Sequence, residues 1–133
     1  MTKDEIKIRT KQFALKVIEL IEDIPKTNVG NVITRQIIRS GTSVAANYRA
    51  ACRAKSNADF VYKITIVEEE CDETLFWLEL MKEANLLKGE KLETLLKEAD
   101  ELTAIFTASG KTAKQNNPKS KSQNPKSAFR NPK

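Results

Sequence analysis

The sequence predicts an all-α protein, an antiparallel up-down-up-down four-helix bundle followed by a disordered basic tail. Three observations carry this reading. Charged residues make up 31% of the 133-residue chain and aromatic residues 6%, a mixture that suits amphipathic helices better than a sandwich or barrel. Apolar residues recur at alternating three- and four-residue steps in four separate stretches, and the connections between those stretches are short. Packing four apolar stripes against one another is the simplest way to hide all of them, and a chain of this length supports one domain with a real core.

The first helix covers residues 4–24. Phe13, Val17, Leu20 and Ile24 form its stripe, Ala14, Ile18 and Ile21 widen it, and Pro25 ends it. The second covers residues 28–55, with Thr27 or Asn28 placed to cap its free backbone donors. At about 100° per residue, Ile33, Ile37, Ser40, Val44, Asn47 and Ala51 share the core side. Arg35, Arg39, Arg49 and Arg53 share the opposite side, with the small residues Thr42 and Ala46 between them.

The third helix covers residues 57–87 and starts from Ser56, where S-x-x-D directly before an apolar run is a variant capping box. Phe60, Ile64, Val67, Cys71, Thr74, Leu78, Met81 and Asn85 keep the four-three spacing, while Ile66, Trp77, Leu80 and Ala84 form a neighbouring stripe. The fourth covers residues 90–109 with Leu92, Leu95, Leu96, Ala99, Leu102, Ile105 and Phe106 inward, and Gly110 closes it. Residues 1–109 are therefore the bundle and residues 110–133 the tail.

Charge divides along the same boundary. From residue 110 onward there are seven Lys or Arg and no acid, whereas the remainder holds sixteen bases against eighteen acids. Asn117-Pro118-Lys119 recurs at Asn124 and Asn131 as a seven-residue repeat. With its prolines and only Phe129 as a large apolar side chain, the tail buries too little surface to offset ordering entropy. It reads equally as a polycationic arm following a phosphate backbone and as a neutral product of repeat slippage.

Several chemistries drop out. Histidine is absent, which removes Ser-His-Asp and Cys-His catalysis and the Glu-x-x-His pairs of di-iron bundles. Neither a Gly-rich phosphate loop nor a nucleophile elbow occurs. Cys52 and Cys71 stand outside any CxxC or mixed cluster and read as reduced structural thiols. No apolar run approaches the roughly 20 residues of a membrane span and the start lacks an apolar leader. The expectation is a cytoplasmic, non-enzymatic protein with no cofactor, no metal and no membrane contact.

Gly41 inside a helix costs about 1 kcal/mol relative to Ala, so something must offset it. Gly41, Ala45, Tyr48 and Cys52 form a strip on one flank of the core face, which suits close helix packing within the bundle or contact with a second subunit. The arginines pose a similar choice. No acid occurs from Asn28 to Ala58, while Glu68 to Glu73 holds five acids in six residues. A ridge of one sign calls for a counter-charge, supplied by the same chain, by another subunit or by phosphate. Glu69 and Glu73, one turn apart, suit arginine better than acid/base or metal chemistry.

Gln36, Arg39-Ser40-Gly41-Thr42-Ser43-Val44-Ala45-Ala46-Asn47-Tyr48-Arg49, Ser56, Asp59-Phe60, Glu69 and Glu73-Thr74 together resemble the four-helix-bundle family of the 23S ribosomal RNA intervening-sequence proteins. That family includes the accessory variability determinant of diversity-generating retroelements. The resemblance covers about residues 5–108 and leaves the basic tail outside. It implies a non-enzymatic bundle that assembles into a ring, typically a homopentamer; in the retroelement members the basic ring binds a reverse transcriptase and structured RNA. Carried onto this chain, the implied nucleic-acid surface includes Arg39 and Arg49, to which helix geometry adds Arg35, Arg53 and Lys55.

Two functions follow as expectations. One is an oligomeric accessory protein that holds RNA or DNA by its phosphates, with a reverse transcriptase as partner in the retroelement case. The other is a protein-interaction scaffold whose arginines bridge subunits.

Overall fold

The structure, a computed structural model, describes residues 1–116; the residues 117–133 of the predicted tail lie outside them. Four helices follow in order: α1 (Lys3–Ile21), α2 (Asn28–Cys52), α3 (Asn57–Glu83) and α4 (Glu90–Gln115). Each packs against its chain neighbour, and α1 also meets α4. The four axes thus stand at the corners of a square, α1 diagonally opposite α3. The register is antiparallel: Arg9 meets Glu98 while Asp23 meets Lys91, and Asn57 meets Ala113 while Lys82 meets Glu93.

Three helix starts are capped by side chains. Thr2 and Glu5 form a reciprocal capping box, and Thr27 Oγ1 accepts from the Gly30 amide. Ser56 accepts from the Asp59 amide at 3.1 Å, but Asp59 in turn accepts from the amide of Lys55 rather than that of Ser56. The acid therefore ties the preceding turn to the helix. At α4 the N-cap is Gly89 at φ 124°, a conformation that favours glycine.

Helix ends depart from the periodicity. α1 stops at Ile21, ahead of the predicted residue 24: Pro25 has no N–H to donate to the Ile21 carbonyl one turn back, and it also pushes Ile24 out of the helical region. The amides of Asp23 and Ile24 instead close tighter turns onto Leu20 and Ile21. α2 stops at Cys52, with Arg53 as its C-cap, and leaves Lys55 in the connecting turn. α3 stops at Glu83, where Asn85 takes φ 57° and its amide and that of Leu86 bond the carbonyls of Lys82 and Met81. That is a Schellman motif, so Asn85 ends the helix and does not continue its core stripe. α4 runs through Gly110, corrected here from a terminator to a buried interior residue whose missing Cβ faces Ile64. Lys111 and Lys114 consequently belong to the bundle.

The core draws on all four helices, with Phe13, Val17 and Leu20, then Ile33, Ile37 and Val44, then Ile64, Val67 and Leu78, and finally Leu92, Leu102 and Phe106 essentially sealed from solvent. Tyr48 and Phe106 meet across the centre with ring centroids 5.6 Å apart. Burial pushes the Cys71 thiol up to about 11, and both cysteines are free. The outer parts of three predicted stripes do not reach this core: Ile18, Leu80 and Ala84 are exposed and Asn47 is only half-buried. A helix in a square bundle buries a limited arc, and these positions lie beyond its edge.

The glycine of α2 finds its explanation here. A Cβ on Gly41 would lie 3.0 Å from Val17 Cγ2 and 3.1 Å from Cγ1, so the bare backbone is what lets α1 come this close. Beside it the buried Ser40 accepts from Thr74 Oγ1 at 2.9 Å, joining α2 to α3 by a satisfied polar pair. The α1–α4 side is closed differently. Arg9 donates from Nε and Nη2 to Glu98 at 2.6 and 2.7 Å, and from Nη2 to Glu101 at 2.8 Å. A paired guanidinium of this kind is a stronger tie than an ordinary surface contact.

Two stability outcomes follow. Gly41→Leu, which drives bulk into Val17, is expected to lose about 1–3 kcal/mol in urea unfolding, and Val17→Ala in the same chain should recover part of it, a coupling a double-mutant cycle reads. Arg9→Ala, by freeing two carboxylates, should cost about 1–2 kcal/mol and lower the thermal midpoint.

Candidate nucleic-acid interface

The outward arc of α2 is what the bundle leaves to solvent once Ile33, Ile37, Ser40, Val44 and Ala51 are buried. Arg35, Arg39, Arg49 and Arg53 are all exposed on that side, as is Lys55 in the turn that follows. At 1.5 Å per residue Arg35 and Arg49 are about 21 Å apart, and Arg49 and Arg53 about 6 Å. Thr42 and Ala46 lie between, so the middle of the ridge is low.

The five cations are not equivalent. Arg39 Nη1 donates to Glu70 Oε1 at 3.1 Å, and its Nη2 donates to Glu73, which also accepts from Trp77 Nε1 at 3.1 Å. The hydrogen bond to Glu73 raises the Arg39 pKa, and the same bond holds the Glu73 carboxyl below its usual value. Arg39 is therefore a strut between α2 and α3 with its charge already offset. Arg35, Arg49, Arg53 and Lys55 have no ion pair among the described residues. Glu69, paired with Glu73 in the sequence reading, is exposed and takes no part in this cluster.

A second group of cations joins the free ones at one end of the bundle. The start of α1, the α2–α3 turn and the end of α4 surround an open, mostly apolar cavity of about 780 Å³, lined among others by Lys3, Cys52, Asn57, Phe60 and Asn116. Asn57 Nδ2 donates to the Ala113 carbonyl at 2.8 Å and fixes α3 to the last turn of α4. Lys3 Nζ sits 5.4 Å from the centre of the Phe60 ring. Lys3, Arg53, Lys55, Lys111 and Lys114 are all exposed, and all belong to this end of the bundle. The acids there are engaged: Glu5 in its cap, Asp4 with Lys7, and Asp59 with Lys63 at 2.9 Å and with the Lys55 amide. Asp59 is accordingly held below the ordinary carboxylate value, first by Lys63.

Helical spacing located the α2 ridge but not this convergence. Lys3 is 52 residues from Lys55 in sequence, and Lys111 and Lys114 were assigned to the tail, so only the antiparallel register brings them together. Among the described residues no group of three or more Asp, Glu or Cys is placed to hold a metal ion.

The sequence profile of the 23S rRNA-intervening sequence proteins matches residues 3–108 of the chain. A solved structure from Bacteroides thetaiotaomicron, described as a protein with unknown function from the S23 ribosomal protein family, superposes with a TM-score of 0.73 at 32% identity, over 80% of this chain and 98% of its own. No curated protein matches at a significant level.

The Arg39–Glu73 strut gives an acid-limb outcome. Because the Glu73 carboxyl is lowered in the folded state, its contribution is complete above the unfolded glutamate value near 4.3 and disappears as pH falls through the folded value. Glu73→Gln should thus cost about 0.5–1 kcal/mol at pH 7 and flatten the stability loss between pH 5 and 3, as followed by chemical denaturation at each pH.

Proposed function

The chain belongs to the 23S rRNA-intervening sequence protein family, and from that premise together with its charge layout we propose that it is a non-enzymatic, self-assembling accessory protein that holds RNA or DNA through its phosphates. The observation that carries the reading is the set of exposed cations without ion pairs among the described residues, Arg35, Arg49, Arg53 and Lys55, with Lys3, Lys111 and Lys114 also exposed at the same end of the bundle. Guanidinium groups on one rigid helix bind phosphate oxygens bidentately without reading bases. Residues 117–133 carry five bases and no acid, a source of sequence-independent, salt-sensitive attraction.

A ring of five subunits and a reverse transcriptase as protein partner belong to the same proposal, both on the strength of the family resemblance. A ring multiplies the ridge, so several weak phosphate contacts act together. The rival reading, an interaction scaffold whose arginines bridge subunits, draws on Arg39, which already spends its charge on carboxylates, though within one chain.

Filter binding at several salt concentrations separates the two. Phosphate binding requires affinity that falls steeply with salt, with Arg49→Glu/Arg53→Glu reducing the logarithmic salt slope by about 2 and weakening unrelated sequences alike. Loss of assembly with no change in binding would favour the scaffold.

A further inference from the structure

A surface that holds phosphates needs charge alone, yet the end of this bundle that carries Lys3, Arg53, Lys55 and Lys111 is also hollow. The cavity there, about 780 Å³, lies within the roughly 300–1,000 Å³ of small-molecule and cofactor sites. Each helix gives it an apolar wall: Ile6 from α1, Ala51 from α2, Phe60 from α3 and Ile105 from α4. Ile6 and Ala51 belong to the core itself, so this floor is held by the packing of the whole bundle.

Three layers of chemistry follow one another outward. Phe60 is half-buried, and among the described residues no other aromatic ring packs on it. What stands over its face is Lys3 Nζ, an exposed side chain of the first turn of α1 with no ion pair among the described residues. Around the rim are neutral groups with capacity to spare. Asn57 commits Nδ2 to the Ala113 carbonyl, while its Oδ1 accepts no hydrogen bond among the described residues. The hydroxyls of Ser109 and Thr112 donate to no protein atom among them, whereas Thr103 and Thr107 on the same helix bond carbonyls one turn back. Beyond the rim are Arg53, Lys55 and Lys111, exposed and without ion pairs among the described residues, and the nearby Asp59 is held by Lys63. A fatty carboxylate would leave the rim idle, and a bare phosphate would leave the floor idle. A nucleotide has flat apolar faces, polar edges and an anionic group, in that order.

We propose that the cavity takes an unpaired base of single-stranded nucleic acid, stacked on Phe60, with its edges toward Asn57, Ser109 and Thr112 and the adjoining phosphates on Arg53, Lys55 and Lys111. This rests on the phosphate binding in the proposed function and names the form of strand bound. A duplex keeps its bases stacked and paired, so it can use the cations but not the cavity. Lys3 leaves the ring for a phosphate as the base enters, and a weak exposed cation–π contact gives way to a base stack. The rim hydroxyls both donate and accept, so the site holds a base without choosing among bases.

Fluorescence anisotropy with two end-labelled strands tests this, a short single strand and the same strand with abasic sugars in place of its bases, equal in phosphate number. The full-length protein should bind the base-bearing strand roughly 5-fold tighter or more. Two variants should erase most of that preference: Phe60→Leu, which keeps apolar bulk and removes the ring, and Ala108→Trp, which fills the cavity from an exposed position on α4. Neither removes a cation, so the salt slope should stay as in the wild type. Circular dichroism checks helicity, and if one variant loses it the other carries the test. Ribose and deoxyribose strands are run in parallel, and the form that loses more affinity when abasic is the one the site takes. Equal affinity of the wild type for base-bearing and abasic strands overturns the base site and leaves phosphate binding standing, as does a preference that survives in a folded variant. No binding to any strand overturns the base site and the phosphate reading together.

Discussion

Burial of four apolar stripes in one square core is the constraint on which everything else in the molecule depends. A helix that gives one arc of its surface to the core and two flanks to its neighbours has a narrow outward arc left, and its sequence decides what stands there. In α2 that arc holds Arg35, Arg49 and Arg53, because Ile33, Ile37, Val44 and Ala51 claim the other side. The close approach at Gly41 and Val17 fixes the rotation of α2 further, since any turn of the helix would drive Val17 into a side chain instead of a bare backbone. The placement of the arginines is thus a by-product of packing, and it is as rigid as the core.

Much of this was legible in the sequence, for identifiable reasons. The inner stripes of α2 and α3 follow from spacing alone, since a residue every third or fourth position on a straight helix cannot avoid sharing a face. Thr27 and Ser56 announce their helices because a short hydroxyl before an apolar run has few better uses. What failed to show was decided by backbone geometry or by distant residues. Asn85 continues the apolar period in register but takes a left-handed conformation, and Gly110 looks like a stop yet packs against Ile64, 46 residues away. Ile18 and Leu80 fit a generous stripe, and only the width of the actual interface excludes them.

The candidate interface was half legible on the same grounds. The ridge is periodic and local, so it could be read; which of its members stays free depends on α3. Arg39 is one of the two arginines within the family motif and also the one most fully engaged, with Glu70 and Glu73 taking its donors. Local pairing runs through the surface: Arg9 with Glu98, Lys63 with Asp59, Lys82 with Glu93 and Lys91 with Asp23. Against that nearly balanced background the unpaired cations at the α2–α3 turn and the unpaired acids of α3 are the residues whose charge projects beyond the molecule.

Trp77 is the chain's only tryptophan, and its position has a practical side. Its indole nitrogen is bound to the Glu73 carboxylate and its ring leans on Phe76, so a single fluorophore sits at the junction between the arginine strut and the apolar row of α3. Tryptophan emission from this chain therefore comes from one place, where both the polarity around the ring and the bond to the carboxylate bear on its colour and intensity. The molecule carries an intrinsic optical gauge of that flank, readable without attaching a dye.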